Sequence, residues 1–190
     1  MHTLYIVATP IGNLEDITFR AIRTLKEVPL ILAEDTRHSR LLLDHYGIKT
    51  PMEAYHDFNK EKVTPKYVDY LKTSGDIALI SDAGTPGIAD PAFNLVRECV
   101  REGITVCPVP GACAMINALI ASGLPTDRFR FENFSPKKSA QRLRVLEDLK
   151  TNACCTSSAP PKYVREIFPL IKEEIVRRFY GCGSPIPMGL

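Results

Sequence analysis

Glu34, Asp35, Thr36, Arg37, His38 and Ser39 form an unbroken polar run directly behind the apolar stretch Leu30-Ile31-Leu32-Ala33. Four apolar residues in a row read as a buried strand. Open α/β sheets place ligands outside the carboxyl ends of their strands. There Arg37 has the chemistry to hold a phosphate, and His38 can take a proton near neutral pH. The same run, Asp35 included, also makes an ordinary solvated helix start with an ion pair, and both readings stand. His56 and Asn59, in the next irregular stretch, carry the same pair of readings.

Glycine-bearing loops carry a second kind of chemistry. Ser81-Asp82-Ala83-Gly84-Thr85-Pro86-Gly87-Ile88-Ala89-Asp90-Pro91 follows the apolar run Ile77-Ala78-Leu79-Ile80. Two glycines and a proline there let backbone approach another group closely. Asp90 is placed to cap the next helix, with Pro91 at its first position. Asp82 reads either as a ligand acceptor or as a cap of its own loop. Ala8-Thr9-Pro10-Ile11-Gly12-Asn13-Leu14 and Val109-Pro110-Gly111-Ala112-Cys113-Ala114 also follow apolar runs. Three such loops in one small domain argue against three idle turns.

The elements that must hold these residues alternate. Strands are expected at 4–8, 30–33, 77–80 and 104–107. Helices are expected from about 17 to 27 with Asp16 as its cap, then through Leu41–Leu43, through Val63–Leu71, along Phe93, Val96 and Val100, and over 112–122. The last is apolar nearly all round and is expected to be buried. Residues 52–59 read as irregular. Strand–helix alternation predicts an α/β fold with a mainly parallel sheet. Residues 1–122 form the expected first domain and 123–128 a linker. A partial, incomplete second α/β domain takes 129–190. In it Phe129, Phe131 and Phe134 alternate as a strand, Ser139 caps a helix, Ala153–Thr156 form a weak strand, and Tyr163–Ile171 give a last helical pattern.

The chain has 190 residues, 45% of them hydrophobic, and a net charge of +2. That composition excludes disorder and gives neither a basic patch nor an acidic tail. Lys137, Lys138, Arg142 and Arg144 make one local basic stretch. Six cysteines occur without Cys-x-x-Cys or zinc spacing, so no metal is expected and they read as buried apolar residues of a reducing compartment. No apolar stretch reaches the length of a membrane span. A cytoplasmic, membrane-free protein is the expectation.

Leu4-Tyr5-Ile6-Val7-Ala8-Thr9-Pro10-Ile11-Gly12-Asn13-Leu14-Glu15-Asp16-Ile17-Thr18 resembles the opening of the bacterial 16S ribosomal RNA (cytidine-2′-O)-methyltransferases, a branch of the tetrapyrrole methylase superfamily. Ala33–Ser39, the Ser81–Pro91 loop, Pro110–Ala114, Ser122–Phe129 and Glu132-Asn133-Phe134 follow in the same order and spacing. The resemblance implies two α/β domains with S-adenosylmethionine in the cleft between them. By position its neighbours would be Pro10, Gly84, Thr85, Ile88, Cys113 and Ala114, with Thr156 and Ser157 from the second domain. Asp35, Arg37, His38 and His56 are the candidate substrate residues. The implied partner is 16S ribosomal RNA or the small ribosomal subunit, with a homodimer as the family's usual state. Beyond residue 150 the sequence departs from the family's pattern, and a truncated or divergent C-terminal part is expected. The alternatives are a precorrin-type tetrapyrrole methyltransferase and an inactive fragment serving only as a binding module.

Overall fold

The computed structural model describes residues 2–127 and 129–152, with side chains through residue 149. The chain groups into two compact units, Met1–Gly123 and Leu124–Leu190.

The first unit is built on β1 (Thr3–Val7), β2 (Leu30–Ala33), β3 (Met52–Ala54), β4 (Ile77–Ile80) and β5 (Thr105–Val109). They form one sheet in the order β3-β2-β4-β1-β5. Every pairing in it is parallel. All four residues of β2 and of β4 are buried, as strands covered on both faces must be. This explains why both read as continuous apolar runs.

Side-chain alternation sorts the core into two layers. Leu4, Ile6, Leu30, Leu32, Ile77 and Leu79 face α3 (Lys60–Thr73) and α4 (Ala92–Arg101), meeting Val68, Leu71, Leu95 and Cys99. Val7, Ile31, Ala33, Ala78, Ile80 and Val109 face α1 (Phe19–Glu27) and α2 (Thr36–His45), meeting Ala21, Leu25 and Leu43. The chain winds one way through α1 and α2, then back through α3 and α4 on the opposite face. Crossovers of one hand require that change of face when the direction reverses. The reversal falls between the neighbours β1 and β4, which sets the crevice for the site there.

Several expectations need correction. Residues 52–54 form an edge strand, not an irregular stretch. It has no apolar pattern and exists by pairing with β2, Ile31 to Met52 through Ala33 to Ala54. Thr18, not Asp16, caps α1 by accepting from the Ala21 N–H at 3.0 Å. Asp16 sits in a 3₁₀ turn, Leu14–Asp16, whose cap is Asn13. In α4 the buried residues are Ala92, Leu95 and Cys99, one position off the expected stripe, and Phe93 and Val100 point to solvent.

The helix α5 (Ala114–Ala121) has no buried residue, and Ile120 is 67% exposed. It leaves the edge strand β5, and among the described residues no further strand returns it across the sheet. In the second unit Phe129, Phe131 and Phe134 form no strand and are exposed. Asn133 takes a left-handed backbone, φ 58°, which breaks extended alternation. The helix α6 (Ser139–Asn152) is present. Its start is held by the Lys138 carbonyl, which accepts from Arg142 N at 3.0 Å. The expected elements at 153–156 and 163–171 lie outside the described residues.

Candidate functional site

The carboxyl edge of the sheet carries two neighbouring groups of side chains. The first is built where β1, β4 and β5 end. Thr9 and Gly84 exchange backbone hydrogen bonds of 2.9 and 3.1 Å, an isolated antiparallel bridge across the reversal point. The buried Thr9 hydroxyl donates to the Ser81 carbonyl at 3.2 Å. Gly84 has φ 84°, and a Cβ there would stand 3.3 Å from Ile11 Cγ2 and 3.7 Å from the Ala112 carbonyl oxygen. That backbone conformation and that spacing both favour glycine. The Thr85 hydroxyl donates to the same Ala112 carbonyl at 3.0 Å. At Gly111 a Cβ would come within 2.9 Å of Ala8 Cβ. The three loops are therefore stitched into one platform.

Of the expected cofactor neighbours, this platform brings together Pro10, Gly84, Thr85, Cys113 and Ala114. Pro10 is buried and Cys113 half-buried, while Ala114 starts α5 in the open. Ile88 lies farther along the β4 loop and is exposed. Thr156 and Ser157 lie outside the described residues. The close approach at Gly84 is made by the other two loops, a reason for glycine that sequence spacing did not reveal.

The second group stands where β2 and β3 end. Asp35 is the cap of α2, accepting from Arg37 N at 2.8 Å and His38 N at 3.4 Å. Those amides hold its carboxyl below the usual range. Its own N–H donates to Asp82 Oδ1 at 3.0 Å. Asp82 thus ties the β2 and β4 loops together, a role outside both readings given it above. The Arg37 side chain is 91% exposed, with Nε 3.6 Å from Asp35 Oδ1, and His38 is exposed beside it. His56 is half-buried and its Nδ1 is buried without a hydrogen-bond partner.

Two residues outside the expected set belong here. Glu34 and Ser81 directly follow β2 and β4 and line, with Tyr55 and Asp90, a crevice too tight to admit a water molecule. Burial, then the charges of Asp82 and Asp90, push the Glu34 carboxyl above its ordinary value. Asp90 is pushed up chiefly by burial, although it accepts from Gly87 N at 2.7 Å and Ala92 N at 2.9 Å. It braces the loop and the start of α4, but the cap position is Pro91 and the helix begins at Ala92, one residue later than the sequence suggested. Glu34 was visible only as one member of a polar run, and Ser81 carried no signal apart from its place after β4.

The sequence profile described as Tetrapyrrole (Corrin/Porphyrin) Methylases matches residues 3–186. The chain is 60% identical over 146 residues to the protein of Haemophilus influenzae named ribosomal RNA small subunit methyltransferase I, covering 77% of this chain and 52% of that one. The protein of the same name from Halalkalibacterium halodurans is 55% identical over 148 residues, with 78% and 51% covered. The chain spans about half the length of the curated relatives it matches. Among solved structures, a diphthine synthase superposes with a TM-score of 0.55 at 17% identity, over 67% of this chain and 51% of that one. The uroporphyrin-III-C-methyltransferase of Thermus thermophilus gives 0.50 at 24%, over 65% and 54%. These structural likenesses concern the fold alone.

Proposed function

The chain belongs to the family described as Tetrapyrrole (Corrin/Porphyrin) Methylases, and from that premise we propose that it binds S-adenosylmethionine and methylates a ribose 2′-oxygen of a cytidine in 16S ribosomal RNA. One observation carries the RNA half of this reading. It is the 60% identity, over most of the chain, to a protein named for the small ribosomal subunit's RNA. It favours RNA over a tetrapyrrole, and a working enzyme over a binding module.

The residues at the sheet edge fit the cofactor. Backbone of the Gly84 and Ala112 loops lies at the reversal point, and Asp82 adds an exposed carboxylate. Carboxylates and carbonyls suit both ribose hydroxyls and a sulfonium cation. When bound, S-adenosylmethionine supplies an electrophilic methyl group. What this chain must add is alignment of the acceptor oxygen, exclusion of water and a place for the displaced proton. Pro10, Gly84, Thr85, Ile88, Cys113 and Ala114 would hold the cofactor. Asp35 would keep Arg37 and His38 at the head of α2, facing RNA, and His56 would stand beside them. Such a substrate places the reaction in the cytoplasm, where ribosomes are. We also take the two-domain division at residues 123–128 and a homodimer as part of this reading. A second copy would cover apolar residues such as Ile116 and Ile120, which are exposed here.

Arg37 gives the substrate test. Its side chain is exposed and its pairing with Asp35 lies at the surface, so its loss should leave the folding midpoint almost unchanged. Arg37→Ala should weaken RNA binding and reduce the slope of log affinity against log salt by about one contact. Filter binding at three salt concentrations measures both. Equal affinity and equal slope in parent and variant would remove Arg37 from the RNA surface.

A further inference from the structure

Phenylalanine is among the residue types most often buried, yet the first unit keeps all of its phenylalanines outside. They are Phe19, Phe58 and Phe93, which are 94%, 98% and 60% exposed. Among the described residues neither core layer contains one. A single exposed apolar side chain needs no explanation. These three share one rim. Phe19 and Phe93 stand in the first turns of α1 and α4, and Phe58 in the turn just before α3. In a parallel sheet each such position lies at the carboxyl edge, where the candidate site is.

Phe58 is held out by a built turn. Tyr55 before it is buried, its N–H donating to the Ala33 carbonyl at 2.8 Å and its hydroxyl 2.9 Å from Thr64 Oγ1. The His56 carbonyl accepts from Asn59 N at 3.1 Å and from Lys60 N at 2.9 Å. The Asn59 side chain accepts from His56 N and donates to the Ala54 carbonyl, each at 2.9 Å. Lys60 pairs with Asp57 at 2.7 Å and offsets its charge. The His56 ring stands 6.0 Å from that of Phe58 at 65°, so it does not lie flat on it. A ring fixed in advance loses little freedom when a flat group settles against it.

Phe93 is the neighbouring ring. The helices α3 and α4 pack against each other. Both run back from the carboxyl edge, so their first turns are side by side, about 8–10 Å apart from axis to axis. The Arg97 guanidinium lies 5.4 Å from the Phe93 ring centroid, a cation–π contact on one side of the ring. Polar residues flank both rings in the chain, Asp57 and Asn59 about Phe58 and Asn94 after Phe93. Rings set out singly in this way do not make the contiguous apolar patch that a folded protein partner needs. They suit flat ligands taken one at a time, and unpaired nucleobases are ligands of that kind.

We propose that Phe58 and Phe93 are stacking platforms for the unpaired bases beside the methylated nucleotide. This rests on the methyl-transfer reading above. Turning a ribose toward the methyl donor draws its nucleotide out of the stack and leaves the bases next to it with a bare face. A ring at the rim replaces the lost stacking whatever the base. Arg37 and Phe58 each lie four residues beyond the paired Ala33 and Ala54, so a phosphate contact and a base contact stand at adjoining strand ends.

The test uses the full chain and small ribosomal subunits, with filter binding at several salt concentrations. Phe58→Ala should weaken binding about tenfold. Phe58→Leu should lose as much, although it keeps an apolar side chain, and Phe58→Trp should restore the parent's affinity. The slope of log affinity against log salt should stay at the parent's value in all three, unlike that of Arg37→Ala. Melting temperatures should stay within about 2 °C of the parent's. A short unpaired RNA should compete with the subunits better than a duplex of the same sequence, and the Phe58→Leu, Phe93→Leu double variant should lose that preference. A Phe58→Leu variant with the parent's affinity, or one whose loss comes with a smaller salt slope, overturns the proposal and leaves the methyl-transfer reading standing. So does a lower melting temperature with unchanged RNA affinity, which would put the ring under protein. A parent that neither binds nor methylates the subunits overturns that reading, and the stacking role with it.

Discussion

Gly84→Val should cost the protein about tenfold to a hundredfold in affinity for S-adenosylhomocysteine, or an equivalent loss of stability, and in general a share of each. Gly84 holds φ 84°, a region where a β-branched residue is strained by about 1–3 kcal/mol. The new side chain would also start 3.3 Å from Ile11 Cγ2. If the loop keeps its bridge to Thr9, the strain appears in the folding midpoint. If it leaves Thr9, the platform of three loops comes apart and affinity falls. Gly84→Ala separates the causes, since it keeps the backbone strain with less bulk. Calorimetric titration and a melting curve on the same sample read both shares. An unchanged affinity together with an unchanged midpoint would show that the platform does not depend on this glycine.

Leu79→Ala should have a larger effect on stability. Leu79 is 2% exposed in the middle of β4, and that strand pairs with β1 on one side and β2 on the other. Its side chain packs in the layer formed with α3 and α4. Truncating a buried leucine to alanine costs about 2–5 kcal/mol, according to how far the walls collapse. That is a large part of the stability of a typical domain. Phe58→Ala is the control: Phe58 is 98% exposed and its truncation should move the midpoint by about 0.5 kcal/mol or less. Urea unfolding compares the two. A Leu79→Ala loss no greater than that of Phe58→Ala would contradict the layered core.

The sequence was most legible where burial on both sides leaves a continuous apolar run. β2 and β4 match their expected ranges for that reason, and the α/β class follows from them. It was least legible where structure depends on a partner distant in the chain. Met52–Ala54 has no strand pattern and becomes a strand by lying beside β2. The apolar pattern of α5 suggested burial, but whether a helix is covered depends on the connection that follows it. In α4 the chosen stripe was one residue out of register, because Leu95 and Cys99 compete with Val96 and Val100 for the same periodicity. At the site, the glycine loops and the Glu34–Ser39 run were visible as places. The partners were not. No spacing rule joins Asp82 to the Asp35 amide across 47 residues, or leaves the Ser81 hydroxyl unpaired beside Glu34.

The most direct test of methyl transfer to ribosomal RNA uses the purified chain, small ribosomal subunits free of 2′-O-methylcytidine and S-adenosylmethionine labelled in its methyl group. Nucleosides from the digested 16S RNA are then resolved by mass spectrometry. Label is expected in a single nucleoside, 2′-O-methylcytidine. Label confined to an added tetrapyrrole, or unlabelled RNA from a chain that still binds S-adenosylhomocysteine, would contradict it.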